Sequence, residues 1–174
     1  HRAIAIQDAT RISIMIGDQK TGERYTLTFP GPNLTDAECA TCLAAVEASG
    51  ATRGTLVASG SLPPGAPVDF YAQVARLVAA GGGNFVLDTS GAALQPALGE
   101  PIFLSKLNQG ELADLSGSPL ETRDEVIACA RDMIARKRLQ NIAITLGAAG
   151  ALLVTPNGTH YSPSPRINAR APVG

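Results

Sequence analysis

From residue 54 onward the chain alternates short apolar runs with stretches of helical periodicity, and this alternation narrows the fold more than any other feature. The runs lie at 54–58, 84–88, 102–104, 142–145 and 151–154. Between them, 69–80 is amphipathic, with Phe70, Val74, Leu77 and Val78 on one side. Residues 92–98 and 111–115 read as short helices. Thr122 opens a longer one to about Lys137, with Glu125 three residues behind it as a helix-start pair. A last strand around Thr159, His160 and Tyr161 follows the Asn157-Gly158 turn. Short apolar strands alternating with helices predict βαβ units and an α/β fold with a mostly parallel sheet covered by helices. Right-handed crossovers follow from chain handedness.

The first fifty residues differ. Residues 12–16 and 25–29 are β-rich, and the polar, Gly-bounded segment 17–23 between them predicts a hairpin. Pro30-Gly31-Pro32 ends it. Thr35 with Glu38 then marks the start of a helix that carries Cys42, Leu43 and Val46 and fades by Gly50.

Composition removes several function classes. With 45% hydrophobic residues, 17% charged residues and a net charge of −1 over 174 residues, the chain is one globular domain rather than a disordered segment. It lacks the basic surface that nucleic acid would require, and no apolar run reaches the roughly 20 residues of a membrane span. Cys39, Cys42 and Cys129 are too few for a disulfide framework. Cys39 and Cys42 form a Cys-x-x-Cys pair without a second Cys or His pair, and buried packing is the expected role.

In parallel α/β sheets ligands bind beyond the carboxyl ends of the strands. Four polar loops stand there. Residues 59–65 (Ser59, Gly60, Ser61, Leu62, Pro63, Pro64, Gly65) form a stiff turn with two hydroxyls. Asp88 ends the next strand, and Ser90 is placed to cap the following helix. Asn108 and Glu111, three apart after Lys106, place an amide and a carboxylate on one helical face, a set that suits hydrated Mg²⁺. Thr145, Gly147 and Gly150 bound a loop whose backbone N–H groups can approach an anion. Each loop also has a plain reading: a turn, a cap, a solvated helix face or an ordinary α/β glycine loop. Their succession at four strand ends favours a shared site.

The order and spacing of these segments resemble the ribokinase-like (PfkB-type) carbohydrate kinases, especially the sugar-phosphate branch with the 6-phosphofructokinase, 1-phosphofructokinase and tagatose-6-phosphate kinase types. The resemblance spans essentially the whole chain. Thr10-Arg11, Glu23-Arg24-Tyr25 and Phe29-Pro30-Gly31-Pro32 look like the N-terminal half of that branch. Residues 59–65 are the most specific segment. Lys106-Leu107-Asn108-Gln109-Gly110-Glu111 resembles the family's Lys-Pro-Asn-x-x-Glu, with Leu107 in place of Pro. Residues 145–151 resemble its nucleotide-phosphate loop.

The resemblance implies a three-layer αβα sandwich with a small β lid from residues 11–29, and an ATP- and Mg²⁺-dependent kinase of a ketohexose phosphate, fructose-6-phosphate first. By position, Asn108 and Glu111 would organise Mg²⁺ and its waters, and Lys106 would sit near the ATP phosphates. Thr145, Gly147 and Gly150 would line the nucleotide site. Arg11 with Ser59 or Ser61 would hold the sugar phosphate. A cytoplasmic homodimer through the lid strands is also implied, although the hairpin could equally cover its own core. The chain starts at His1 and ends at Gly174, so it is expected to be the central part of a longer kinase domain. No catalytic base is assigned within it. Val173-Gly174 looks like the lead-in to the family's Gly-Ala-Gly-Asp, so the base is expected just after Gly174. The family's N-terminal sugar-binding part has no counterpart here. Fructose-1-phosphate or tagatose-6-phosphate kinases, or a non-catalytic module binding nucleotide or sugar phosphate, are the alternatives.

Overall fold

The computed structural model describes residues 3–136 and 139–165. Val173 and Gly174, the expected lead-in to the base, lie outside these residues, as does Lys137.

Strands β1 (Ser13–Gly17) and β2 (Arg24–Thr28) form the antiparallel hairpin. Asp18 organises its turn, accepting at Oδ1 from the backbone N–H of Lys20 at 2.7 Å. Every residue of both strands is exposed, including Met15 at 53% and Tyr25 at 53%. Among the described residues the hairpin therefore does not cover its own core.

Helix α1 (Asp36–Ala48) starts where the sequence predicts. Thr35 Oγ1 accepts from the Glu38 N–H at 3.3 Å, while the Glu38 carboxylate accepts from the backbone N–H groups of Thr35 and Gln7 at 2.8 and 2.7 Å. These donors, Thr35 first, hold the Glu38 carboxyl below the usual carboxylate range. Cys39 is buried and Cys42 half-buried. Burial is the main cause pushing both thiols up, and so keeps them protonated.

The main sheet comprises β3 (Thr55–Ser59), β4 (Asn84–Asp88), β5 (Ile102–Asn108), β6 (Leu139–Thr145), β7 (Ala151–Thr155) and β8 (Gly158–Ser162), side by side in that order. The first four are parallel, and the last two complete the sheet as an antiparallel meander. α2 (Phe70–Ala80) packs on β4, α4 (Gln109–Ser116) on β5, and α5 (Arg123–Arg136) on β6 and β7. The short α3 (Leu94–Ala97) follows a 3₁₀ turn. Phe85, Leu87, Leu107, Ile142, Ile144, Leu152 and Val154 form the sheet's contribution to the core and are essentially fully buried.

Three expectations need correction. Strands β5 and β6 are longer than their apolar centres, because Leu107 and Leu139 are themselves buried beyond polar neighbours. β3 is not apolar-buried on both faces. Among the described residues it lies at one edge of the sheet, and Val57 is 65% exposed. Ser90 precedes the 3₁₀ turn at Gly91–Ala93, but its side chain makes no capping hydrogen bond.

Candidate active site

Register decides which side chains meet. Ser59 pairs with Asp88, and Asp88 with Lys106, while Asn108 pairs with Thr145 one step further along. Side chains alternate with a period of two, so residues 106 and 108 share a face. All five residues therefore lie on one face of the sheet at its carboxyl end. Lys106 Nζ reaches Asp88 Oδ1 at 3.2 Å, with both side chains about two-fifths exposed (38% and 40%).

The loop after β3 is held from below. Gly60 has φ 122°, a conformation that favours glycine. Its carbonyl accepts from the Tyr71 hydroxyl at 2.8 Å and from Thr89 Oγ1 at 2.9 Å, and its N–H donates to the Asp88 carbonyl at 2.9 Å. Burial, then the Asp88 carboxylate, push the Tyr71 phenol up, so it remains a donor. Arg11 Nη1 approaches Ser61 Oγ at 3.5 Å across fifty residues of sequence. Of the two serines singled out by sequence, Ser61 stands beside Arg11, and Ser59 instead ends β3 in the row with Asp88 and Lys106.

The Asn108/Glu111 pair is built differently from a shared helix face. Asn108 has an extended backbone (φ −94°, ψ 168°) and is the N-cap of α4, outside the helix. Its Oδ1 accepts from the Glu111 N–H at 2.8 Å, and Glu111 Oε2 accepts from the Asn108 N–H at 2.7 Å. This reciprocal cap brings amide and carboxylate together. Leu107 is fully buried and pairs with Ile144, so β5 runs regularly up to the cap without the family's Pro.

The loop between β6 and β7 follows Thr145, whose Oγ1 lies 3.5 Å from the Leu107 carbonyl. Its two glycines differ. Gly147 (φ 58°) has open space where a Cβ would sit. A Cβ on Gly150 (φ 111°) would collide with the Ser162 carbonyl, so this glycine is required by close approach to β8. Sequence reasoning missed Tyr71 and Tyr161. Tyr161 donates from its hydroxyl to the Ala149 carbonyl at 2.6 Å.

The donors present fit a hydrated divalent cation. Glu111 Oε1 is outside the cap and has no partner among the described residues, and Asn108 Nδ2 is left as a donor for water or phosphate oxygen. Mg²⁺ commonly keeps several waters and takes one or two carboxylates plus phosphates. Among the described residues no group of three or more His, Cys, Asp or Glu forms an all-protein cage.

A mostly parallel sheet with helices packed on it, a polar row at the carboxyl ends of its parallel strands and a separate exposed hairpin define an α/β protein with a candidate ligand site at the strand ends. Residues 3–174 match the pfkB family carbohydrate kinases, and the chain belongs to that family. It is 38% identical over 173 residues to the ATP-dependent 6-phosphofructokinase isozyme 2 of Mycobacterium tuberculosis, covering 99% of this chain and 51% of that protein. It is 33% identical to the 1-phosphofructokinase of Xanthomonas campestris, covering 95% and 53%. The tetrameric inhibited form of phosphofructokinase-2 from Escherichia coli superposes with a TM-score of 0.87 at 29% identity, covering 95% of this chain and 54% of that one. The chain thus spans about half the length of these relatives. Among the described residues no helix is long and apolar enough to cross a membrane.

Proposed function

We propose that the intact protein is an ATP-dependent kinase that phosphorylates a ketohexose phosphate, converting fructose-6-phosphate to fructose-1,6-bisphosphate. The observation that carries this reading is the placement of two unlike polar groups along one line of strand ends. Arg11 with Ser61 lies at the β3 end, and Asn108, Glu111, Thr145 and Gly147 lie at the β5–β7 end. Phosphoryl transfer is chiefly a problem of positioning and electrostatics, so two anionic substrates need two such groups in line.

Arg11 would hold the phosphate already on the sugar through charge-assisted hydrogen bonds, with Ser61, or Ser59, adding a hydroxyl. Thr145, Gly147 and Gly150 would line the nucleotide. Lys106 would swing from Asp88 to the ATP phosphates, supplying positive charge where negative charge spreads in the transition state. Glu111 and Asn108 would hold Mg²⁺ through its waters, and the bound ion would neutralise phosphate charge. A positioned base must also take the sugar hydroxyl proton, and its expected place after Gly174 lies outside the described residues. The relatives named as 6-phosphofructokinase and 1-phosphofructokinase support a sugar-phosphate kinase, and fructose-6-phosphate is proposed from the likeness of Arg11 and the 25–32 segment to the 6-phosphofructokinase type.

A homodimer through the hairpin is part of the proposal. Two-stranded hairpins are marginal alone, and Ile14, Met15, Ile16, Tyr25 and Leu27 leave apolar surface uncovered on both faces. A partner strand would bury it and close over the reacting phosphate.

The test is ADP release by the intact protein with Mg·ATP and, in turn, fructose-6-phosphate, fructose-1-phosphate and tagatose-6-phosphate. Fastest turnover with fructose-6-phosphate is expected. Preference for another of the three would correct the substrate, and ATP binding without ADP release on any of them would leave a binding module.

A further inference from the structure

The loop between β6 and β7 is fastened from the side facing away from β5. It already closes on itself: the Leu146 N–H donates to the Gly150 carbonyl at 2.8 Å and the Gly150 N–H to the Gly147 carbonyl at 3.2 Å. Two hydroxyls then act on its outward carbonyls. Tyr161 in β8 donates to the Ala149 carbonyl at 2.6 Å, and Ser164 Oγ donates to the Gly147 carbonyl at 3.3 Å. The Tyr161 ring is fixed in turn by Arg123, the first residue of α5, whose guanidinium carbon lies 3.9 Å from the ring centroid. Gly150 lets β8 approach closely enough for these contacts, because any Cβ there would meet the Ser162 carbonyl.

Peptide planarity converts carbonyl anchoring into amide direction. In a trans peptide the C=O and the following N–H point opposite ways. Fixing the Gly147 carbonyl toward Ser164 therefore turns the Ala148 N–H away from it. Among the described residues this N–H has no acceptor. Tyr161 is 41% exposed, so it adds little to the core, and its hydroxyl is the part engaged with the loop.

We propose that Tyr161, braced by Arg123 and assisted by Ser164, is a positioning residue that pre-orients the 146–150 loop for the nucleotide phosphates. This rests on the kinase reading above, in which that loop lines the nucleotide. The loop then meets ATP with its backbone already ordered, and the ordering free energy is not deducted from binding.

The decisive variant in the intact protein is Tyr161→Phe, which keeps the ring beside Arg123 and removes only the donor. Loss of one hydrogen bond of ordinary strength predicts a rise in the ATP KM of about three- to tenfold, with kcat and the sugar-phosphate KM unchanged. Amide exchange at Ala149 and Gly150 should quicken, and Ser164→Ala should shift the ATP KM in the same direction. An ATP KM that stays at the wild-type value in both variants overturns the positioning role while the kinase reading stands. Equal rises in the KM of both substrates overturn it too, because they indicate a general loss of structure. If the wild-type protein binds no ATP, the kinase reading and this proposal fall together.

Discussion

Asn108 and Glu111 cap one another: the Asn108 side chain accepts from the Glu111 N–H at 2.8 Å, and the Glu111 carboxylate accepts from the Asn108 N–H at 2.7 Å. The two residues that the family resemblance assigns to the metal are therefore also the residues that start α4. Ordinary alanine substitutions would disturb both roles at once.

Substitutions that spare the cap separate the two roles. Gln satisfies the third helical position of a capping box as Glu does, so Glu111→Gln should melt close to wild type while kcat falls steeply and its Mg²⁺ dependence shifts. Asn108→Ala removes the N-cap and should lower stability by about 1 kcal/mol in addition to its kinetic effect. Thermal melts alongside Mg²⁺ titrations of the rate check both. Full activity in Glu111→Gln would reduce the carboxylate to a cap.

Lys106 and Asp88 form a half-exposed ion pair, and such pairs contribute roughly 0–1 kcal/mol to stability. Lys106→Met should therefore leave the melting temperature nearly unchanged. If the ammonium serves the transferring phosphate, kcat should drop by about 10²-fold or more. A large loss of stability with normal kcat would make the lysine a structural residue.

Ser105 sits fully buried in β5, between Leu87 and Ile142 in register, and its hydroxyl has no hydrogen-bond partner among the described residues. A buried unsatisfied hydroxyl costs about 1–3 kcal/mol in desolvation. Ser105→Ala should accordingly be neutral to stabilising, seen as a higher urea midpoint with an unchanged slope. Clear destabilisation would mean that the hydroxyl is satisfied in solution.

Much of this architecture is legible in the sequence because it rests on local rules. The Thr35/Glu38 and Thr122/Glu125 pairs mark helix starts through side chains that reach only three residues, and both form the hydrogen bonds their spacing predicts. The run at 84–88 coincides with β4 because Phe85, Val86 and Leu87 are apolar between the polar ends Asn84 and Asp88. Leu139 was less visible. It extends β6 beyond the polar Gln140 and Asn141, and its burial depends on Ile102 in the neighbouring strand. The exposure of Val57 likewise depends on strand order, which no window of β3 encodes.

The site divides in the same way. Ser61, Lys106, Asn108, Glu111, Thr145 and Gly147 could be named from residue type and position at strand ends, and Arg11 from the family resemblance. Their supports could not. Tyr71 reaches Gly60 across eleven residues and Tyr161 reaches Ala149 across twelve, each through one hydroxyl aimed at a carbonyl. In sequence both are simply aromatic residues of a helix and a strand. The Cys-x-x-Cys pair shows the converse: its spacing suggests chemistry, while burial holds both thiols protonated.

The sharpest test of a sugar phosphate at the Arg11 end and a nucleotide at the opposite end is the pair of KM values in Arg11→Ala of the intact protein. Losing a charge-assisted contact to phosphate should raise the fructose-6-phosphate KM by about 10-fold or more, with the ATP KM unchanged. A rise in the ATP KM instead, or no change in either, would contradict that arrangement.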